Sequence, residues 1–139
     1  MTPSASAATS EPLRAGAVSI SLTVKDIHAS LAWYRDVFGL AVERQTEREG
    51  KLRAVRLTSG EVRLNINQDD GAKGWERVKG EGFSLMFTTA QNVDAIAAGI
   101  KARGGKLDSE PADMPWGFRL FRLRDPDGYR FTVASPLPA

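Results

Sequence analysis

Residues 124–133 have the sequence RDPDGYRFTV, in which a turn of defined chemistry leads directly into a strand. Pro126 fixes the backbone angle φ at the first corner, Asp127 tolerates unusual backbone angles, and Gly128 supplies the positive φ of a tight turn. Segments rich in Phe, Leu and Val flank the turn. The stretch therefore predicts a hairpin between a strand over 117–123 and a strand that begins at Tyr129.

The first half of the chain repeats this order of strand, glycine turn and strand. Residues 51–57 and 61–67 predict two strands, with Gly60 in the turn that joins them. A strand and a helix precede each hairpin, and the possible helix N-caps Asp26 and Asn92 are 66 positions apart. Such spacing indicates a strand-and-helix module that occurs twice.

The composition indicates one domain with no obvious macromolecular partner. The chain has 139 residues, 42% of them hydrophobic, and a net charge of +2 with both signs interleaved, so nucleic acid is not an expected partner. It contains no cysteine, which excludes a disulfide framework and a thiolate nucleophile and favours a cytoplasmic location. A membrane helix needs about 18 consecutive apolar residues. The sequence has no such run, so we expect no membrane contact.

The repeat predicts an α+β fold of two βαβββ modules. We expect residues 1–16 to be a disordered arm and residues 17–136 to form a single domain. The modules would occupy about 17–68 and about 81–136, with a linker at about 69–80, where hydrophobicity is lowest. One helix covers only one face of a four-stranded sheet. We therefore predict two mixed sheets that form a cup, with the helices on the outer face.

Two pairs of segments carry recognisable signatures. The first pair is LTVKD at 22–26 with SLAWYRDVFGL at 30–40, and the second is MPWGFR at 114–119 with DPDG at 125–128. Together they resemble the vicinal oxygen chelate superfamily, which contains glyoxalases, extradiol dioxygenases and bleomycin-resistance proteins. This resemblance covers nearly all of the chain after the arm. It implies paired βαβββ modules that form a cup, within a homodimer.

Enzymes of this superfamily hold a divalent metal in the cup through His or Glu on the first and last strand of each module. The resemblance places the corresponding positions at Ser19, Asn65, Phe83 (or its neighbour Ser84) and Thr132. None offers the carboxylate or imidazole that such an ion prefers. The only histidine, His28, falls in the first turn of the first helix, where we expect it to face solvent. We therefore predict no metal site and no cofactor, and a non-enzymatic function is favoured.

Alternation along the strands gives the expected lining of the cup. Apolar and polar residues alternate strictly over 17–24, so the serines of this strand lie opposite its apolar face. Aromatic residues of module two add flat surfaces for a planar ligand. Trp116 lies in a loop, where no periodic pattern accounts for a large aromatic side chain. The predicted ligand-binding residues are Ser19, Ser21, Arg63, Asn65, Asn67, Phe83, Phe87, Trp116, Phe118 and Thr132.

Three functions are compatible with these features. The first, which the missing metal ligands favour, is a metal-free protein that sequesters an antibiotic or aromatic metabolite, as bleomycin-resistance proteins do. The second is a metal-dependent glyoxalase, lyase or dioxygenase with ligands at other positions. The third is a protein-interaction domain with a vestigial cup. Fold resemblance alone does not separate them.

Overall fold

The computed structural model describes residues 11–138. Residues 11–18 are exposed and contain no helix or strand, whereas the rest of the predicted arm, residues 1–10, lies outside the described part of the chain. No helix in the described part is long and apolar enough to span a membrane.

Within residues 11–138 the elements follow the order βαβββ twice. The strands are β1 (Ser19–Val24), β2 (Ala41–Arg48), β3 (Lys51–Ser59), β4 (Val62–Gln68), β5 (Ser84–Thr88), β6 (Ser109–Asp113), β7 (Phe118–Arg124) and β8 (Arg130–Pro136). Helix α1 (Ile27–Ala32) continues into a π-helical segment (Trp33–Phe38), and helix α2 (Val93–Ala102) follows β5. This order confirms the predicted α+β fold of two βαβββ modules.

Each module forms one mixed four-stranded sheet. The strand orders are β1-β4-β3-β2 and β5-β8-β7-β6. In both sheets the first strand of the module pairs in parallel with the last, and the remaining pairs are antiparallel. Neither sheet closes on itself, so each has two edge strands and two faces.

Side-chain caps begin both helices, as the sequence predicts. Asp26 Oδ1 accepts hydrogen bonds from two backbone N–H groups of the first turn of α1, and Asn92 Oδ1 accepts one in α2 at 3.1 Å. These bonds satisfy N–H groups that have no partner inside the helix. Gly39 ends the π-helical segment with φ of 94°, a left-handed conformation that costs glycine little.

The helices and the apolar faces of both sheets share one hydrophobic core. Its centre is aromatic. Phe38 stacks on Phe87 with ring centroids 5.7 Å apart and packs edge-on against Phe131 at 5.2 Å. Tyr34, which is fully buried, also packs against Phe131. The segment after α1 therefore packs on strands of the second sheet, and apolar burial joins the two modules.

The turn between β7 and β8 adds polar contacts between the modules. Tyr34 Oη donates a hydrogen bond to Asp125 Oδ2 at 2.6 Å, and Tyr129 Oη donates one to the carbonyl oxygen of Thr23 at 2.9 Å. Asp125 Oδ1 also accepts from the backbone N–H groups of Asp127 and Tyr129, which shapes the turn itself. One aspartate thus serves both the hairpin and the contact between modules.

A buried ion pair fixes the segment that connects the two sheets. Residues 69–83 form turns without a strand or helix. Lys79 Nζ lies 3.2 Å from Asp69 Oδ2, and both side chains are 4% exposed. The backbone N–H of Gly71 and the Lys79 ammonium lower the pKa of the Asp69 carboxyl. Removing one partner of such a pair leaves a buried charge without compensation.

Two elements differ from the sequence expectation. We predict a strand over 106–110 and a loop over 111–116, but β6 occupies Ser109–Asp113. Pro111 is accommodated because β6 is an edge strand and its pairing is interrupted between Ser109 and Ala112. The first helix is π-helical in its second half, where both Gly39 and Leu40 donate to the carbonyl oxygen of Tyr34.

Candidate functional site

The strand register gathers part of the predicted site on one face of the first sheet. Ser19 lies beside Arg63, and Ser21 beside Asn65, in the parallel pairing of β1 with β4; Asn67 is two residues further along β4. Residues between these positions, such as Leu64, belong to the buried core. The polar side chains therefore lie on the opposite face of the sheet. We call it the module-one face, defined by Ser19, Ser21, Arg63, Asn65 and Asn67.

Guanidinium groups give the module-one face a positive character. Arg56 of β3 pairs in register with Asn65, and its Nε donates a hydrogen bond to Asn65 Oδ1 at 3.1 Å. Arg44 of β2 lies beside Arg56 on the same face. The Glu43 carboxylate lies 3.8 Å from Arg56. Within residues 11–138, Arg63 forms no ion pair, so the face carries more positive than negative charge.

The second sheet has a corresponding polar face with a small cavity. Thr132 lies beside Arg122 in the antiparallel pairing of β7 with β8, and Ser84 lies beside Arg130 in the parallel pairing of β5 with β8. Phe83 comes immediately before β5 and is 43% exposed. These five residues contribute to the lining of a cavity of about 320 Å³. We call it the β5–β8 pocket, defined by Phe83, Ser84, Arg122, Arg130 and Thr132.

The other predicted aromatic residues lie elsewhere. Phe87 is on the core face of β5 and lines a larger cavity, of about 840 Å³, between α2 and the turn that joins β3 to β4. Trp116, 60% exposed, lies in the turn between β6 and β7. Phe118 shares the polar face of β7 with Arg122 but lies four residues away and pairs with Pro136. The structure thus brings Phe83 and Thr132 together and separates them from Phe87, Trp116 and Phe118.

The residues at the family's metal positions do not fit a divalent cation. They provide hydroxyl, amide and phenyl groups, and one of the few suitable oxygens, Asn65 Oδ1, already accepts a hydrogen bond from Arg56. Among residues 11–138, no three His, Cys, Asp or Glu side chains are grouped so that they would hold a metal ion. His28 is exposed, as expected. Hard and borderline ions prefer carboxylate and imidazole donors, and neighbouring guanidinium groups repel them.

The polar faces of the two sheets form no direct polar contact with each other. In the part of the chain that the structure describes, no hydrogen bond or ion pair joins the module-one face to the β5–β8 pocket. Contacts between the modules come instead from the shared core, from the turn at Asp125 and from a hydrogen bond that Arg103 Nε donates to the carbonyl oxygen of Val37. Each polar face is therefore accessible to solvent or to another molecule.

Two arginines of the β5–β8 pocket are absent from the list of predicted ligand-binding residues, although alternation along the last strand places Arg130 on the same face as Thr132. Arg122 and Arg130 are exposed and lie on the same face of the hairpin formed by β7 and β8. Counting outward from Asp127 pairs Arg124 with Arg130 and Arg122 with Thr132, as the structure has them. The signal was therefore present in the hairpin, because residues paired across an antiparallel ladder share a face.

Solved structures share this fold. TioX from Micromonospora sp. ML1 superposes with a TM-score of 0.72 at 19% identity, covering 88% of this chain and 100% of TioX. TnmS3, an antibiotic binding protein from Streptomyces sp. CB03234, superposes with a TM-score of 0.68 at 19% identity, covering 91% of this chain and 99% of TnmS3. At these identities the likeness establishes the fold alone.

Sequence relatives are longer proteins. Lactoylglutathione lyase GLX1 of Arabidopsis thaliana is 26% identical over 121 residues, which cover 83% of this chain and 42% of GLX1. The putative glyoxylase CFP32 of Mycobacterium tuberculosis is 40% identical over 53 residues, or 38% of this chain and 20% of CFP32. The chain thus spans less than half the length of these relatives. The model of the glyoxalase/bleomycin resistance protein/dioxygenase superfamily matches residues 16–133, nearly the whole described chain, and the protein belongs to that superfamily.

Proposed function

We propose that the protein binds an aromatic small molecule, an antibiotic or an aromatic metabolite, and sequesters it without chemical conversion. The observation that carries this proposal is the chemistry of the polar faces. They combine hydroxyl, amide and guanidinium groups with an exposed phenyl ring and lack the carboxylate or imidazole set of a metal enzyme. Such groups orient a ligand by hydrogen bonds and stacking. The fold shared with TnmS3, an antibiotic binding protein, is consistent with this role.

A homodimer is part of the proposal. Each polar face is open in a single chain, whereas small-molecule sites usually bury most of the ligand surface. A twofold dimer that sets the module-one face of one copy against the β5–β8 pocket of the other would form two equivalent cups.

A chain without cysteine suits a reducing compartment, and we propose a cytoplasmic location for the complex.

Tryptophan fluorescence and thermal stability test the binding function. We expect aromatic antibiotics to raise the melting temperature by mass action, and to quench the fluorescence of Trp116 if the site extends from the β5–β8 pocket to the turn between β6 and β7. Chromatography of the mixture should recover the ligand unchanged. The quenching should be lost in Trp116→Ala and retained in Trp75→Ala, whose ring is 50% exposed in the connecting segment. Equal binding by both variants would exclude Trp116 from the site, and conversion of the ligand would refute sequestration.

A metal-dependent lyase is the second candidate, because lactoylglutathione lyase GLX1 is similar over most of this chain. Protein purified without chelator or metal-affinity resin distinguishes the two functions. Under the first proposal, metal analysis gives far less than one equivalent, and soaking in zinc, nickel, manganese or ferrous iron does not raise the melting temperature. A full equivalent of bound metal, with stabilisation, would favour the lyase.

A further inference from the structure

We propose that the ligand of the β5–β8 pocket is an aromatic anion, in which a carboxylate, sulfonate or phosphate is attached to an aromatic ring. This inference rests on the proposed function and specifies the ligand class. Three features of the pocket support it: two guanidinium groups that have no carboxylate partner among residues 11–138, a hydroxyl on the register partner of each, and an exposed phenyl ring in the lining.

Among residues 11–138, no carboxylate forms an ion pair with the two arginines of the pocket, Arg122 and Arg130. The Asp108 carboxylate also lines the pocket, but Arg124 already holds it, with Nε 3.0 Å from Asp108 Oδ2. The remaining charge therefore favours an anionic group, which a guanidinium binds through charge-assisted, often bidentate, hydrogen bonds.

Hydroxyl groups complete the polar part of the pocket. Thr132 is the register partner of Arg122, and Ser84 is the register partner of Arg130. Each guanidinium thus has an O–H donor on the neighbouring strand. The two pairs of arginine and hydroxyl lie on the adjacent strands β5, β8 and β7. An oxyanion between them can therefore accept hydrogen bonds from both sides. No carboxylate or carbonyl at these positions competes for the guanidinium groups.

The apolar part of the pocket selects an aromatic group. Phe83, which lines the pocket, is 43% exposed, whereas the side chains of Leu123 and Phe131 pack in the core on the opposite face of the sheet. An exposed ring beside two arginines offers a stacking surface and an electrostatic anchor at once. The volume of about 320 Å³ suits one or two fused rings.

The module-one face strengthens the same selection. It presents Arg44, Arg56 and Arg63, and within residues 11–138 the one ion pair of these three arginines joins Arg56 to Glu43 at 3.8 Å. If this face forms the opposite wall of the cup in the proposed dimer, both walls repel cations. A cationic drug of the same size is therefore disfavoured on both sides.

A matched pair of fluorescent probes tests the inference. 8-Anilinonaphthalene-1-sulfonate and N-phenyl-1-naphthylamine share one aromatic skeleton and differ by the sulfonate. We expect the sulfonate to bind the wild-type protein at least about 5-fold more tightly than the neutral probe. Its affinity should fall as salt rises, because screening weakens attraction between exposed charges. The affinity of the neutral probe should hardly change.

Substitutions assign the preference to the pocket. Arg122→Gln and Arg130→Gln should each weaken the binding of 8-anilinonaphthalene-1-sulfonate by about 3- to 10-fold. Neither substitution should change the affinity for the neutral probe. Asp108→Asn should strengthen sulfonate binding, because it removes a carboxylate from the lining and frees Arg124. The control is Arg35→Gln, the same change in charge on an exposed helical residue that pairs with Asp36. It should leave both affinities unchanged, and circular dichroism checks the fold of each variant.

The outcomes separate the two proposals. If both probes bind equally well and the arginine substitutions have no effect, the anionic ligand class is wrong while the binding function stands. If neither probe binds and no aromatic ligand stabilises the protein, the proposed function fails together with its ligand class. Weaker sulfonate binding in Asp108→Asn would also contradict the electrostatic argument.

Discussion

At the scale of single residues, Asp125 is the buried charge with the clearest consequence for stability. It is 5% exposed, and burial raises the pKa of its carboxyl above the ordinary 3.8, although hydrogen bonds from Tyr34 and the backbone of Tyr129 oppose the shift. A carboxyl with a raised pKa binds its proton more tightly in the folded than in the unfolded state. Its contribution to stability is therefore largest below about pH 3.8 and is lost as pH rises through the raised value.

Asp125→Asn tests this pH dependence. Asn cannot ionise and keeps an oxygen for the backbone N–H groups of the turn. We expect the free energy of unfolding of the variant, relative to wild type, to rise from pH 3.5 upward and to level off above the raised pKa. Urea denaturation across this range measures it. A difference that does not change with pH would show that Asp125 has an unshifted pKa.

Asp94→Asn is a control for which the expected pH dependence of stability has the opposite sign. A hydrogen bond from Arg119 lowers the pKa of the Asp94 carboxyl. The ionised form therefore stabilises the fold above about pH 3.8, and this contribution is lost as pH falls through the lowered value. Relative to wild type, the variant should be less stable at neutral pH and approach wild type in acid.

At the scale of secondary-structure elements, the π-helical segment joins the modules by placing Phe38 between Phe87 and Phe131. Phe38→Ala should lower the free energy of unfolding by about 3–5 kcal/mol, because it leaves a cavity in the shared core. Phe83→Ala removes the same ring from an exposed site and should cost less than about 1 kcal/mol. Urea denaturation compares the free energies of unfolding of the two variants, and we expect each variant to unfold in one transition. Two separate transitions for Phe38→Ala would show that the modules unfold independently.

The elements also show how far the sequence predicts the structure. Strict alternation identified β1, and the Asp26 cap and Gly39 bounded the first helical region as observed. Pro111 misled the assignment of β6, because whether a proline is tolerated depends on a strand lying at the sheet edge. Edge position is a property of the assembled sheet and has no local signal.

The site was predictable to the extent that strand alternation was clear. Module-one residues follow from the regular pattern of β1 and β4, whereas β5 contains three consecutive apolar residues, Leu85 to Phe87, and alternation does not decide which faces the core. Pairing with β8 places Phe87 beside Val133 in the core and leaves Met86 on the polar face. Alternation along β8 places Arg130 on the face of Thr132, whereas Arg122 required the hairpin register, which counting outward from Asp127 supplies.

At the scale of the whole molecule, the proposed dimer links assembly to ligand binding. We expect light scattering to give twice the mass of one chain. Because both polar faces are rich in arginine, an aromatic anion between them should reduce their repulsion and increase the dimer fraction at low protein concentration. A monomer that binds 8-anilinonaphthalene-1-sulfonate with full affinity would show that one chain provides the complete site.

The open edges of the two sheets have a further consequence for the molecule. An unpaired strand edge is a template for continuous sheet growth between molecules. β2 is almost entirely exposed and carries Glu43, Arg44, Glu47 and Arg48, and β6 contains Pro111 beside its interrupted pairing. The charged side chains of β2 and the missing N–H donor of Pro111 in β6 oppose edge-to-edge polymerisation. The features that made β6 difficult to recognise therefore also oppose the addition of a further strand at this edge of the second sheet.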